Sequence, residues 1–317
     1  MFKFGIIGSG KIARKFCDAV SLIEGAEVAA VASKTLDRAK ALAEEKSIEA
    51  YFGDYEEMLK KSSLDAVYIA TTHNFHYENA LLCLEYNKPL LIEKPMVLSK
   101  KEAIEIFRLA REKNLFVMEA MWSRFLPHNK KAREWIANGA IGTLALVNCA
   151  WGFKPNPSIE GRYFSPDLAG GPLYDIGVYS IEVMTHLIGQ PIREINTMMI
   201  PAHTGVDLTD NISIKFDTCI ANLQVTYAAK VPMMALLYGT DGYIKIPGYV
   251  TGNECFLYDN EGNCIEHFKE QYVNGFTYEI AETIRCIREG LIESPVVPHA
   301  DTVTCCEIFD RVLKNHL

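Results

Sequence analysis

Positive charge is in short supply in this chain. Its 317 residues carry 32 lysines and arginines against 40 aspartates and glutamates, a formal net charge of −8. A polyanion needs a basic face to bind, so no nucleic-acid partner is expected. Long apolar runs are lacking as well: none approaches the roughly 20 residues that span a bilayer, and no membrane partner is expected. The nine cysteines contain no Cys-x-x-Cys pair, and only Cys305 and Cys306 are adjacent. This argues against a disulfide framework and predicts reduced thiols in the cytoplasm. The first strand is expected to open at Phe2, which leaves no room for a leader peptide. Low-complexity tracts and internal repeats are absent too. What remains, 49% hydrophobic and 23% charged residues, describes a globular protein long enough for two cores.

The chain opens on a buried strand over 2–7, then Gly8-Ser9-Gly10-Lys11-Ile12-Ala13, then a helix to about 23. Gly8 permits the tight turn, and Gly10 lets the backbone approach a pyrophosphate. Ala13 allows close packing of helix on strand, and the helix N-terminus presents unpaired N–H groups to an anion. Such a pattern is weak alone and strong between a strand and a helix, with a second strand over 27–32. Gly8, Ser9, Gly10, Lys11 and Ile12 are therefore candidate cofactor contacts. The tip of the second strand lacks the Asp or Glu that usually holds the ribose of NAD. Ser33, Lys34 and Arg38 stand there instead, which favours NADP over NAD, because a 2′-phosphate needs positive partners.

Alternation continues with helices over 39–46, 55–61, 77–86 and 100–113, and strands over 66–71, 90–93 and 115–119. That order predicts a doubly wound parallel sheet, an N-terminal Rossmann domain over 1–120. The loop Thr71-Thr72-His73-Asn74-Phe75-His76 has His-x-x-His spacing but no third ligand nearby, so no metal is expected. Thr71, His73 and His76 are instead assigned to the cofactor edge. The run Leu90-Leu91-Ile92-Glu93-Lys94-Pro95 ends a strand where proline stops the ladder. It leaves Glu93 and Lys94 at the edge where open α/β sheets bind ligands.

Past residue 120 the pattern becomes α+β, with a large, mostly antiparallel open sheet over 121–317. A helix over 125–138 leads to strands over 144–153, 194–200, 211–216, 221–228, 235–239, 243–247, 255–258 and 264–268. Helices over 278–289 and 301–315 close the chain, the latter capped by Asp301. One further helix follows Gly170-Gly171-Pro172. It carries Leu173, Ile176, Ser180, Ile181, Met184 and Leu187 on one face, and Asp175, Tyr179, Glu182 and His186 on another. Such a polar stripe ordinarily faces solvent, yet a tyrosine flanked by apolar residues is an odd choice for that.

In order and spacing, the Gly8-Ser9-Gly10 turn, Glu93-Lys94-Pro95 and Asp175-x-x-x-Tyr179 resemble the glucose–fructose oxidoreductase, inositol dehydrogenase and MocA family. Tyrosine at 179, where many members have histidine, is similar to the branch of glucose–fructose oxidoreductase and dimeric dihydrodiol dehydrogenase. Met118-Glu119-Ala120-Met121-Trp122-Ser123-Arg124-Phe125, Thr204-Gly205-Val206-Asp207 and Glu293-Ser294-Pro295-Val296-Val297-Pro298 extend the likeness over nearly the whole chain. The segment 156–165 has no clear counterpart, and such loops line substrate pockets.

The resemblance implies NADP-dependent hydride transfer at a CH–OH carbon of a sugar or cyclic diol, D-xylose or a trans-dihydrodiol for example. It also implies a homodimer formed through the open sheet face, and Lys94 and Tyr179 meeting at the nicotinamide. A tyrosine's ordinary pKa of about 10 is too high for a base at neutral pH, and a nearby ammonium lowers it. Lys94 is thus read as that cation, Tyr179 as the acid–base group and Asp175 as an orienting carboxylate. Trp122 and Arg124 are read as cofactor contacts, and Trp122 and Phe153 as pocket walls, though both aromatics could equally be core. Two other readings stay open: a regulator that binds NADP without catalysis, and a glycosidase-like enzyme that uses tightly bound NAD transiently.

Overall fold

The computed structural model describes residues 1–156 and 160–314, the side chains of Glu160 and Lys314 excepted. Contacts divide the chain into two units. The first comprises Met1–Trp122 and Asn274–Val303; the second comprises Ser123–Val273 and the residues from Thr304 onward.

In the first unit six strands, β1 (Phe2–Ile7), β2 (Ala26–Ala32), β3 (Ala50–Phe52), β4 (Ala66–Ile69), β5 (Leu90–Glu93) and β6 (Val117–Ala120), form one sheet. Its order is β3-β2-β1-β4-β5-β6, and every pairing is parallel. Helices α1 (Lys11–Val20), α2 (Leu36–Lys46), α3 (Tyr55–Lys61), α4 (His76–Glu85) and α5 (Lys100–Lys113) make the crossovers. This is the expected doubly wound sheet, and its order reverses between β1 and β4. Phe16 of α1 lies flat on Tyr68 of β4, ring centroids 3.8 Å apart, so the helix after the glycine turn is clamped to the sheet centre.

Element ends shift for local reasons. α1 stops at Val20 because Leu22 and Ile23 donate to carbonyls three residues back, closing the helix in tight turns. α5 ends at Asn114 in the left-handed conformation, and Leu115 N–H donates to Ala110 O, so β6 cannot begin at 115. β3 was not foreseen, being only Ala50–Phe52.

In the second unit eight strands follow: β7 (Leu144–Gly152), β8 (Glu194–Pro201), β9 (Asp207–Lys215), β10 (Ile220–Thr226), β11 (Val231–Gly239), β12 (Gly242–Pro247), β13 (Glu254–Asp259) and β14 (Cys264–Lys269). Their order is β14-β13-β12-β11-β7-β10-β9-β8, with β7 and β10 parallel and the rest antiparallel. Helices α6 (Pro127–Ala137), α7 (Glu160–Tyr163) and α8 (Val178–Ile188) precede β8, and α6 and α8 pack on the sheet. Inward residues such as Val147, Cys149, Leu223 and Leu237 are buried, whereas Leu146, Ile220, Met198 and Ile200 are exposed.

Two helices close the chain, α9 (Phe276–Arg288) and α10 (His299–Lys314). α9 packs on α1 within the first unit, and His299 of α10 sets its Nε2 2.9 Å from Val117 O. α10 opens two residues before Asp301, so Asp301 is no cap. It lies in the first turn, where the helix dipole still favours a carboxylate. The expected end of this helix at 315, and residues 157–159 of the segment 156–165, lie outside the described residues.

Candidate active site

In the first unit the carboxyl ends of β1, β4 and β5 gather most of the residues singled out from sequence. Gly8 has φ +112°, and a Cβ there would lie 2.5 Å from Ala70 O, so no other residue fits. A Cβ on Gly10 would meet nothing within 4 Å: the far side of the turn is open. The α1 N-terminus has no side-chain cap and no acid in its first turn, which leaves its N–H groups and dipole for an anion. Arg14 braces the turn from behind, donating to Ser9 O at 2.7 Å and Gly10 O at 3.2 Å. Ser9 Oγ donates to Ser33 Oγ at 3.0 Å and ties the turn to the end of β2. These features fit a dinucleotide pyrophosphate, with Lys11 exposed and Ile12 half-buried in the first turn. Next to Ser33, the Lys34 ammonium stands 3.5 Å from the centre of the Phe75 ring, and Arg38 is exposed in the first turn of α2.

The loop after β4 is a short 3-10 turn, His73–Phe75, with Thr71 and His73 half-buried. His76 behaves differently from the expectation. It is wholly buried, with Nδ1 2.9 Å from Pro95 O and Nε2 3.2 Å from Thr71 O. Burial lowers its pKa and keeps the ring neutral, so its single N–H donates to one of these two carbonyls and the ring is packed between the loops that carry them.

The Glu93-Lys94-Pro95 segment is held from several sides. The Tyr68 hydroxyl donates to the buried Glu93 carboxyl, whose pKa burial raises. Met96 N–H donates to Glu119 Oε1 at 2.8 Å, and Thr302 Oγ1 donates to Glu119 Oε2 at 2.9 Å. Lys94 itself is half-buried, and the Lys94–Pro95 peptide is cis. Sequence reading missed Glu279 of α9, a wholly buried carboxyl that burial and nearby Glu93 hold protonated. Trp122 is half-buried, its ring centroid 5.3 Å from that of Phe276.

In the second unit the segment Leu173–Gly177 is a π-turn running straight into α8, Val178 N–H donating to Leu173 O. The wide turn inserts one residue, which rotates Asp175 by about 100° relative to an unbroken α-helix. Asp175 Oδ2 accepts from the Tyr227 hydroxyl at 2.8 Å, and its Oδ1 lies 3.4 Å from Arg162. Burial, then the Asp175 charge, hold Tyr227 protonated, so Tyr227 is a donor and never a base. Tyr179, one turn on, is 9% exposed, and its ring lies 6.2 Å from Trp151. Phe153, Tyr163 and Phe164 pack beside Tyr227, Phe153 half-buried at 5.0 Å and Tyr163 at 5.4 Å. Phe153 is thus a neighbour of this core cluster. Trp151, Arg162 and Tyr227 were not picked out from sequence; the alternation in β7, and that leading up to Tyr227 just past β10, was the only signal for two of them.

Arg124 needs correction. It is 0% exposed, its Nε donates to Glu182 O at 2.9 Å, and its guanidinium pairs with Glu182 Oε2 at 2.6 Å. A guanidinium spent on this buried pair offers nothing to a cofactor. The rest of the polar stripe is internal too, with Arg133 against both His186 ring nitrogens at 2.9 and 2.7 Å.

A doubly wound sheet with an open glycine turn, joined in sequence to a large mixed sheet, defines a dinucleotide-binding oxidoreductase. The comparisons agree. Residues 2–121 match "Oxidoreductase family, NAD-binding Rossmann fold" and 129–245 match "GFO/IDH/MocA C-terminal domain". The chain is 32% identical over 325 residues to trans-1,2-dihydrobenzene-1,2-diol dehydrogenase of Danio rerio, covering 99% of this chain and 96% of that one. Two solved structures share the fold. A 3-ketoreductase from Actinomadura kijaniata with NADP and TDP-benzene has TM-score 0.88 at 23% identity, covering 99% of this chain and 97% of that one. Levoglucosan dehydrogenase with NADH and levoglucosan has TM-score 0.90 at 19% identity, with the same coverage. The chain belongs to the GFO/IDH/MocA family of oxidoreductases.

The Arg124 placement is testable. Arg124→Met should leave Glu182 buried and uncompensated and cost about 3–5 kcal/mol, read by denaturant unfolding. The double variant with Glu182→Leu should recover most of that loss, and the cofactor dissociation constant should not change in the folded fraction.

Proposed function

We propose that this family member is an NADP-dependent dehydrogenase of a secondary alcohol or hemiacetal carbon in a sugar or cyclic diol. The setting of Tyr179 carries the reading: a tyrosine one turn past Asp175, beside the half-buried Trp151 ring, with a second tyrosine holding Asp175 in place. Trp151, Phe153 and Tyr163 offer the flat faces that suit a sugar or diol ring. The diol dehydrogenase relative from Danio rerio supports the same substrate class. In functional terms 1–120 is the cofactor domain and 121–317 the substrate and dimerisation domain.

When bound, the nicotinamide is the hydride acceptor. Tyr179 takes the proton of the substrate hydroxyl, and the Lys94 ammonium is the cation assigned to favour that transfer. Asp175, fixed by Tyr227 and Arg162, orients the neighbouring hydroxyl of the substrate. Tyr227 cannot substitute for Tyr179, because its hydroxyl keeps its proton and donates it in the hydrogen bond to Asp175.

A panel of aldopentoses, aldohexoses, deoxy-ketosugars and trans-dihydrodiols, followed by nicotinamide absorbance with both cofactors, tests the reading. Binding of NADP without turnover on any member would instead support a regulator. Turnover only with a retained NAD would support the glycosidase-like mode. Tyr179→Phe should lower kcat about 10²–10⁴-fold with cofactor binding intact. Lys94→Met should be at least as damaging, and the double variant little worse than the worse single one.

The Lys34 side chain supports the preference for NADP, standing beside Ser33 with no carboxylate at the strand tip. A charge-assisted contact to the 2′-phosphate is worth roughly 1.5–3 kcal/mol. Lys34→Ala should therefore raise KM for NADP about tenfold or more and leave NAD nearly untouched. Equal losses with both would assign Lys34 to holding the Phe75 loop.

The outward face of the second sheet supports a homodimer. Met198, Ile200, Leu146 and Ile220 are exposed on it, flanked by hydrogen-bonded Asn148, Asn222 and Ser213. Light scattering should give twice the chain mass at micromolar concentration; a monomer would refute this. The nine free cysteines suit a cytoplasmic setting.

A further inference from the structure

Beneath the π-turn lies a second pair of acids that the mechanism does not use. Asp207 and Asp210 of β9 are 1% and 0% exposed. Asp207 Oδ2 accepts from Leu173 N–H, the first residue of the π-turn, at 2.7 Å. Gly171, at φ +105°, wraps the same carboxyl so closely that a Cβ there would lie 1.9 Å from Asp207 Oδ1. Among the described residues no N–H or O–H reaches either Asp210 oxygen. The Asp210 carboxyl is hydrogen-bonded to that of Asp207, and two buried carboxyls so paired, one of them with no other donor, are held together by a shared proton.

The next residue of β9 has a related task. Tyr227 N–H donates to Leu208 O at 2.9 Å, so the strand that holds the π-turn also holds the tyrosine that grips Asp175. Both arms of the Asp175–Tyr227 hydrogen bond are thereby referred to one rigid stretch of backbone.

We propose that Asp207 and Asp210, through a shared proton, are positioning residues that set the Asp175–Tyr227 couple and the turn leading to Tyr179. The inference rests on the reading above that Asp175 and Tyr179 serve the substrate. Asp207 would act as the fixed acceptor and Asp210 as its donor. The groups that face the pair are the Leu173 and Gly171 backbone and Tyr227, with Asp175 and Arg162 beyond Tyr227.

Two variants test this in the whole enzyme. Asp207→Ala should lower kcat about 10²-fold, since a small misplacement of reacting groups costs that much. KM and the NADP dissociation constant should hardly move. Asp210→Asn keeps a donor aimed at Asp207 without needing a proton, so at neutral pH it should turn over like the parent.

The pH profile supplies a readout that a merely structural role would not move. Burial, then the Asp207 charge, push the Asp210 carboxyl up to about 10. Below that pH the proton is present and the turn is held; above it two carboxylates repel and the turn is released. The ratio of Asp210→Asn to parent kcat should accordingly be flat near neutrality and about double by pH 10; groups common to both proteins cancel in that ratio. Normal kcat in Asp207→Ala overturns the proposal. If Asp207→Ala yields no folded protein, a ratio that stays flat beyond pH 10 overturns it. Should Tyr179→Phe turn over normally, the reading it rests on fails and takes the proposal with it; a crippled Tyr179→Phe beside a normal Asp207→Ala sinks the proposal alone.

Discussion

Helix α8 is enclosed on every side, and that constraint orders much of the second unit. A polar side chain on such a helix must find a partner or forfeit its hydration. Ser180 therefore meets the Tyr249 hydroxyl at 2.7 Å, Glu182 meets Arg124, Thr185 donates to Ile181 O at 2.8 Å, and His186 meets Arg133. The contacts to Tyr249, Arg124 and Arg133, which lie outside the helix, also fix its rotation about its axis. The direction of Tyr179 is consequently set in part from further along the same helix. A side chain held this way has little freedom left to lose, which is the advantage a packed helix has over a loop for the acid–base role proposed for Tyr179.

The first unit meets an equivalent demand by other means. Lys94 emerges from a strand end, where the ladder stops and nothing in the sheet itself holds the chain. The segment is instead tied down residue by residue: Glu93 by Tyr68, Pro95 by His76, Met96 by Glu119. Tyr68 is in turn pressed by Phe16 of the helix whose N-terminus forms the anion site. The glycine turn and the lysine are thus parts of one packed block, so a cofactor lying on the turn has a fixed relation to Lys94's backbone.

How much of this was legible depended on range. The glycine turn, the strand end at Lys94 and the strand–helix alternation are local patterns, and each stands where sequence placed it. Asp175 and Tyr179 were read at i, i+4 on a regular helix. A π-turn leaves no mark in residue periodicity, so the rotation of Asp175 was invisible. Tyr227 and Arg124 failed to declare themselves for a different reason. Their roles come from partners 52 and 58 residues away, through a sheet register and a helix packing that no local rule supplies. An arginine beside a tryptophan reads as a ligand contact until Glu182 is seen opposite. β3, at Ala50–Phe52, is too short for its alternation to rise above chance.

Buried acids recur here: Glu182, Asp207, Asp210, Glu93 and Glu279 are all removed from water. Desolvation makes each of them unfavourable, and apolar residues of similar volume would often give a more stable chain. What an apolar contact lacks is direction. A methyl group cannot accept Leu173 N–H, and leaving that N–H unmade in the interior would itself cost free energy. Nor could it specify that the turn open by one residue at Leu173 and not elsewhere. Two of these acids lie where backbone direction matters most: Asp207 at the start of the Asp175 turn, and Glu93 at the residue before Lys94. Stability is given up at those two places in return for a defined geometry, and the same exchange explains why the pairs are enclosed: in water the hydrogen bonds would be too weak to hold one.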